Sequence, residues 1–533
     1  MSGGSARSPH KRRADELVGR DAELKSLAAA LDDADAGRGQ AWFVVGESGI
    51  GKTRLVTAVA ELAARRGFTT AVGQAYPVET GVPYAVFSDA LLPVLRDIAP
   101  SALTLLTRGA SAELAQLFPA LDDGRRPASA TSRGDPAEMK ARLLWNFTQF
   151  LSRFAAKRPV LLALENLQWA DSASLEMLHF VTRQLGGARV LILCTHNDVD
   201  SRTAATLRTT EQSLKQLGAA QRVRLGALST DDIAALIERR FGASDARARS
   251  FAERLQRWTA GNPFFIDETL KALVESGQLR ESAGTWSGWE VQTLRVPSTI
   301  REAVLSRLAD LSADARRLAD FAAVLGTRST HAELSAVSGM SDDGVLAAID
   351  ELRAADVLGE RAESAQVVYD FTHPILQETL YAELGLARVQ RLHASVADAL
   401  EKHYGSRAAA HAGQLAFHYV RAGDGAGDGQ GDGAASKAAR YLRAAGSDAA
   451  AKYANREAAQ YLASAIDLLE KDDGADARQS LIQATRELAR VRQRLGDYAG
   501  AMELWRRALN AARSADDLAR VASIERSIGL AHY

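Results

Sequence analysis

Cysteine is nearly missing: Cys194 is the one thiol among 533 residues. A single thiol excludes an internal disulfide and fits a reducing, cytoplasmic setting. Long apolar runs are missing too. No stretch approaches the roughly 18 residues that a membrane helix needs, so no membrane partner is expected. Net charge is also lacking, because 65 basic and 66 acidic residues leave a formal charge of -1. A chain so balanced has no global attraction to DNA or to anionic membrane, and only local patches remain. The polar N-terminus ends in His10-Lys11-Arg12-Arg13 with no apolar stretch beside it, so no secretory signal is expected. Residues 1–16 are expected to be a disordered tail, with an anion-binding arm as the alternative. What remains is an ordinary globular composition in a chain too long for one core, so three or four domains are expected.

The most specific motif is Gly46-Glu47-Ser48-Gly49-Ile50-Gly51-Lys52-Thr53, which fits G-x-x-x-x-G-K-[ST] at every position. Ala41-Trp42-Phe43-Val44-Val45 precedes it and reads as a buried parallel strand. After Lys52, the residues Leu55, Val56, Val59, Leu62 and Ala63 fall on one helical face, with Gly67 as the stop. Small residues let such a loop curl until its N–H groups point inward at phosphate oxygens, and the following helix adds its positive end. In that arrangement Lys52 reaches the β- and γ-phosphates, and the Thr53 hydroxyl ligates Mg²⁺. The alternative is a chance glycine-rich turn. The strand before it and the helix after it argue against that.

A phosphate loop needs an acidic partner on a neighbouring strand. Val160-Leu161-Leu162-Ala163-Leu164 supplies an apolar strand with Glu165 at its C-terminal end, the edge where open α/β sheets bind ligands. Glu165 is thus the candidate catalytic and Mg²⁺-facing carboxylate, with Lys52 as its partner. Asn166 follows it where a second carboxylate commonly activates water. An amide cannot accept a proton, and general acid–base help is worth about 10²–10⁴-fold, so hydrolysis is expected to be slow. Asp171 is a substitute base or, more simply, the cap of a helix starting near Ser172. A further strand, Val190-Leu191-Ile192-Leu193-Cys194-Thr195, ends in His196, Asn197 and Asp198, where a polar residue could sense the γ-phosphate. Cys194 reads as a core strand residue rather than a nucleophile.

Several other segments stand in a recognisable order. These are Leu17-Val18-Gly19-Arg20-Asp21-Ala22-Glu23-Leu24, then Gly73-Gln74-Ala75-Tyr76 and Pro83-Tyr84. Then come Glu165-Asn166-Leu167-Gln168-Trp169-Ala170-Asp171, Gly261-Asn262-Pro263-Phe264-Phe265 and Phe371-Thr372-His373-Pro374. With the phosphate loop, the series resembles the STAND class of signal-transduction ATPases. It is most like the AAA-type nucleotide modules of large LuxR-type bacterial regulators and of some cyclase-linked proteins. The resemblance runs from Leu17 to about Leu469. It implies ATP or ADP as ligand with Mg²⁺, Val18 and Gly19 near the adenine, and Pro263 of a helical lid bordering the base or ribose. It also implies a β-phosphate contact for His373, whose simpler role is packing at a helix start. The family's carboxylate pair is Glu165-Asn166 here, and its strand-end arginine is Asn197. Binding should survive these departures, while turnover and γ-phosphate sensing are weakened.

The remainder reads as mostly helical. Residues 228–279 form the lid, and Thr285-Trp286-Ser287-Gly288-Trp289-Glu290 suggests a small hairpin or an exposed aromatic partner patch. Three helical patterns followed by Val357-Leu358-Gly359-Glu360 and Val367-Val368-Tyr369 suit a winged helix. Its candidate recognition helix carries Asp342, Asp343, Asp350, Glu351 and Asp356 against Arg353 alone, so phosphates would repel it. A packing and switching element is expected there, and direct DNA binding is not. Gly423 to Gly433 reads as a linker, because the run lacks the nonapeptide period of calcium-binding repeats. Gly496-Asp497-Tyr498, Ala501, Trp505, Ala508 and Leu509 resemble a tetratricopeptide repeat, with an earlier copy at Ala458, Leu462 and Ala465. A third copy starts near Val521. Its second helix would lie past Tyr533, which points to a longer polypeptide or a capping partner.

The expected division is a tail (1–16), a P-loop AAA-type ATPase domain (17–227), a helical lid (228–296) and a winged helix (297–373). Linking helices (374–422), a Gly/Asp-rich linker (423–436) and all-α TPR-like repeats (437–533) complete it. The function expected is an ATP/ADP switch with weak or absent ATPase activity. Protein partners would bind through the repeats, with nucleotide-dependent self-association. The rivals are a hydrolytically active AAA-type ATPase used for remodelling or DNA loading, and a DNA-binding activator.

Overall fold

The computed structural model describes residues 17–531 apart from 78–80, 116, 119–135, 199–201, 283–284, 290–304, 306–307, 309–310, 327, 364–365, 424–432, 473 and 515–516. The N-terminal tail, most of the Gly/Asp-rich run and the expected start of the winged helix lie outside the described residues.

Residues 21–224 mix helices and strands in one unit. Their order is α1 (Asp21–Asp35), β1 (Gln40–Val45), α2 (Lys52–Arg65), β2 (Thr69–Gln74), α3 (Ala85–Arg96), α4 (Pro100–Thr107), α5 (Ser111–Leu114), α6 (Pro136–Lys157), β3 (Val160–Glu165), α7 (Ser172–Gln184), β4 (Val190–His196), α8 (Arg202–Gln216) and β5 (Ala220–Arg224). The strands form one parallel sheet in the order β2-β3-β4-β1-β5. Every residue of β3 and β4 is buried, so these strands read as continuous apolar runs rather than alternating ones. Successive side chains still take opposite faces. Val44, Leu161, Ala163, Leu191 and Leu193 pack with Leu27, Leu31, Leu55 and Val59 of α1 and α2. Phe43, Val45, Leu162, Leu164, Ile192 and Cys194 pack with Phe87, Phe147, Phe150 and Leu178 of α3, α6 and α7. Cys194 is a fully buried core residue, and burial pushes its thiol pKa up. In register, Val45 pairs with His196 and Arg224, and Gln74 pairs with Glu165. The loop after β1, the acid of β3 and the end of β4 therefore share one sheet edge.

The helices α9 (Thr230–Phe241), α10 (Ala246–Thr259) and α11 (Pro263–Glu275) follow, then a hairpin of β6 (Arg280–Ser282) and β7 (Thr285–Ser287). Trp286 and Trp289 lie on Phe241, with ring centroids 4.8 and 5.6 Å away. These tryptophans thus belong to the core of this unit rather than to an exposed patch. Next come α12 (Ala313–Leu325), β8 (Arg328–Thr330), α13 (His331–Ser338), α14 (Asp342–Ala354), β9 (Leu358–Glu363) and β10 (Gln366–Phe371). The two long strands pair antiparallel, and β8 adds to β10 as a third strand.

The rest is helical: α15 (Pro374–Glu383), α16 (Leu386–Tyr404), a 3₁₀ segment (Gly405–His411), α17 (Ala412–Ala422), α18 (Ala434–Ala451), α19 (Asn455–Leu469), α20 (Ala475–Arg494), α21 (Tyr498–Ser514) and α22 (Leu518–Ala531). Small residues let paired helices approach. At Gly446 a Cβ would lie 2.8 Å from Leu462 Cγ, so a larger residue would push α18 and α19 apart. Ala458, Leu462, Ala465, Ala501, Trp505 and Ala508 are all buried. Ala458 and Leu462 belong to the same apolar cluster as the sheet face under α7, so the repeats dock on the N-terminal unit.

Candidate functional site

β1 stops at Val45 because Gly46 begins a loop rich in left-handed backbone. Gly49 and Gly51 have φ of +79° and +99°. Gly51 caps α2 without any side-chain hydrogen bond, and a Cβ built there would meet nothing within 4 Å. No side-chain cap answers the amide end of α2, so its positive partial charge is available to an anion. Lys52 is buried beside it, its Nζ donating to the carbonyls of Gly46 (2.9 Å) and Glu47 (2.8 Å). Burial lowers its pKa to about 8, against the opposing pull of Glu165, Glu378 and Glu47. A lysine so desolvated gains strongly from an added anion.

Thr53 Oγ1 donates to Glu165 Oε2 at 2.6 Å, across 112 residues of sequence. Glu165 is fully buried, and burial raises its pKa, while bonds from Thr53 and Gln74 and the charges of Arg361 and Lys52 oppose the rise. A hydroxyl and a carboxylate at a phosphate loop are hard oxygen donors. Two of them suit Mg²⁺, which keeps waters and takes its other oxygens from phosphates. Asn166 sits in left-handed backbone (φ +59°), with its N–H donating to Thr195 Oγ1 at 3.0 Å. Asp171 caps α7, accepting from Ser174 N at 2.8 Å and Tyr84 N at 3.2 Å. The capping role is the observed one. Burial lifts the Asp171 pKa to about 7, with Glu457 adding to the rise. At the end of β4, His196 Nε2 lies 3.2 Å from Glu211, Asn197 N donates to Gln168, and Asp198 pairs with Arg224.

The other expected site residues are placed by different routes, and only the start of α11 is bonded to the loop itself. Gly19 lies against α9, where a Cβ would come within 2.5 Å of Asp232 Cγ, and half-buried Val18 precedes it. Pro263 is the first residue of α11, whose cap is Asn262. Asn262 Nδ2 donates to Ser48 O at 3.1 Å, and Phe264 N donates to Gly49 O at 3.3 Å. His373 caps α15 and packs its ring 4.6 Å from that of Phe264.

Three residues gain structural roles that no sequence reading assigned. Arg20 Nη2 donates to Ile50 O (3.2 Å) and Gly226 O (2.6 Å), tying the loop to the end of β5. Asn262 braces Ser48, and Gln74 bonds Glu165. All three sit inside quoted motifs, so the signal was present. Their partners lie too far away in sequence to be inferred from it.

The description of an AAA ATPase domain matches residues 16–193, which contain the phosphate loop and Glu165. The N-terminal unit is an AAA ATPase domain. Residues 229–278, next to it, match a domain of unknown function, DUF8739. An uncharacterized protein of Rhizobium meliloti (strain 1021) is 26% identical over 491 residues, 87% of this chain and 44% of that protein. The chain thus spans less than half the length of the curated relative it matches. Among solved structures, a signal transduction ATPase with numerous domains (STAND) and a tetratricopeptide repeat sensor, from Pyrococcus horikoshii, is similar at 11% identity. That match has a TM-score of 0.46 and covers 94% of this chain and 65% of that one. The Drosophila ORC bound to DNA is similar at 12% identity and a TM-score of 0.31, covering 72% of this chain and 93% of that one. The expectation of an AAA-type P-loop ATPase, with a parallel sheet followed by a mostly helical remainder, is borne out. No described helix is long and apolar enough to cross a membrane.

Proposed function

We propose that this chain is a STAND-class signalling switch that binds ATP and ADP and hydrolyses ATP slowly. One observation carries the reading: the loop built for phosphates is also the loop on which the downstream helices rest. Asn262 and Phe264 of α11 bond to Ser48 and Gly49, and His373 packs on Phe264. A change in the phosphates is therefore felt by 228–296 as a lid and by 297–373 as a switching element of winged-helix type.

In this reading the amides of Gly46 to Thr53 and the Lys52 ammonium hold the β- and γ-phosphates. Thr53 and Glu165 hold Mg²⁺, which neutralises phosphate charge when bound. Val18, Gly19 and Pro263 border the adenine, and His373 faces the β-phosphate. Lys52 and Glu165 form what catalytic centre there is. Asn166 cannot take a proton from water, and Asp171 is committed to capping α7. Moving a switch from 1:99 to 99:1 requires about 5.5 kcal/mol of differential binding, and contacts to the γ-phosphate are the source. Partners are proteins bound by the repeats, with nucleotide-dependent self-association. DNA is not a partner of this chain, because α14 begins with Asp342 and Asp343 and its Arg353 pairs with Asp350 and Glu360.

Steady-state ATPase assays on wild type and Asn166→Asp test the reading. Wild type is expected to bind nucleotide with little turnover, and Asn166→Asp to raise turnover by about tenfold or more. Brisk hydrolysis by wild type would favour the remodelling ATPase instead.

A further inference from the structure

A cavity of about 460 Å³ opens where the AAA ATPase domain, the β8–α13 segment, the 3₁₀ turn before α17 and the α18–α19 pair meet. That volume lies in the range of sites for small organic ligands. Its walls carry three carboxylates, and each is already engaged. Asp89 accepts from Arg328 at 2.9 Å, and Asp448 from Lys452 at 2.7 Å. Glu333 accepts from Tyr404 at 2.9 Å and from Thr330. The three cations of the lining are Arg328, Lys452 and Arg96, and among the described residues Arg96 is the one with no carboxylate partner. The charges of the lining balance, with Glu333 held by neutral donors alone and Arg96 left as the cation open to an added anion. The lining also has a flat wall, because Tyr404 and His411 stack with centroids 3.8 Å apart and planes 8° apart. Tyr461 of α19 reaches in from the repeats.

The cavity is wired to the phosphate site. Tyr76 in its wall donates to Gln74 Oε1 at 3.2 Å, and Asp89 accepts from Gln74 N at 2.9 Å. The Gln74 side chain bonds Glu165, which accepts from Thr53 at 2.6 Å. A ligand that moves Tyr76, or draws Arg328 from Asp89, alters the support of the carboxylate beside the phosphate loop.

We propose that this cavity is an effector site for a small aromatic carboxylate, whose ring packs on the Tyr404–His411 wall and whose carboxylate meets Arg96, and that its occupancy changes nucleotide affinity. The coupling rests on the switch reading; the binding does not. Linkage then requires ADP to change the effector's affinity by the same factor.

The test uses benzoate as probe and benzamide as its uncharged counterpart, with calorimetry on the full chain. Benzoate is expected to bind wild type, and benzamide about tenfold more weakly, since a charge-assisted bond to arginine is lost. Arg96→Gln should weaken benzoate by about tenfold and leave benzamide unchanged. Saturating benzoate should shift the Kd for ADP by at least about threefold. Lys52→Ala should keep benzoate binding, so a failure of the nucleotide site stays distinguishable from a failure of the cavity. No benzoate binding by wild type up to about 10 mM, equal affinity for benzamide, or an unmoved ADP Kd would each overturn the proposal.

Discussion

Two helices leave the same edge of one sheet, and their N-termini are treated in opposite ways. α2 starts after a left-handed glycine and takes no side-chain cap. α7 is capped twice. Asp171 accepts from Ser174 N, and Glu457 of α19 accepts from Ser172 N at 2.8 Å and Ala173 N at 3.2 Å, with Ser172 Oγ donating as well. Glu457 is almost fully buried, so its carboxylate relies on those donors in place of water. The same helix-end electrostatics thus serve two ends. Where the chain fills the terminus, it fastens the repeats to the AAA ATPase domain. Where it leaves the terminus bare and sets a lysine beside it, it leaves room for an anion.

The largest effect that could break this contrast is Lys52→Ala. Calorimetry should show ADP and ATP affinity falling by about 100-fold or more, since one residue supplies the buried positive charge. Its thermal stability should hold or rise, because burial disfavours the charged lysine. Glu457→Ala is the mirror image. It leaves buried donors unpaired, so denaturant titration should show a loss of about 1–3 kcal/mol. Its ADP Kd should stay within about threefold of wild type. Equal damage to both properties in either variant would erase the distinction. The smallest effect is in pH. The Lys52 pKa is lowered to about 8 in the free site, and a bound phosphate favours the charged form and raises it. Nucleotide binding then takes up a proton above that pH. Affinity should be flat below about 8 and fall by at most about tenfold per unit above it, and Lys52→Arg should flatten the fall. A pH-independent wild type would mean that Lys52 does not meet the phosphates.

The bare terminus was legible in the sequence, and the filled one was not. The phosphate loop is a local signal: eight consecutive residues fix its backbone, its lysine and its hydroxyl. Glu165 was legible for a similar reason, since the strand's apolar run ends on it. Asp171 as a cap was readable from Ser172 onward. Glu457 was not, because 285 residues separate it from Ser172 and nothing in its own helix marks it as a cap. Ala458 and Leu462 were read correctly as small and apolar repeat positions, but their neighbours across the interface could not be inferred from a periodic pattern. β8 is only three residues long, too short for any periodicity, and it joins its sheet only because β10 offers an edge. Arg328, its first residue, reaches Asp89 across 239 residues, so the four-way cavity depends on tertiary arrangement alone.

The most direct test of the central claim is titration of the intact chain with ADP and with ATP, each with magnesium, followed by calorimetry. The account predicts saturable one-to-one binding at micromolar affinity or tighter in wild type, weakened by about 100-fold or more in Lys52→Ala. Heat of dilution alone for both nucleotides in wild type, or unchanged binding in the variant, would contradict it.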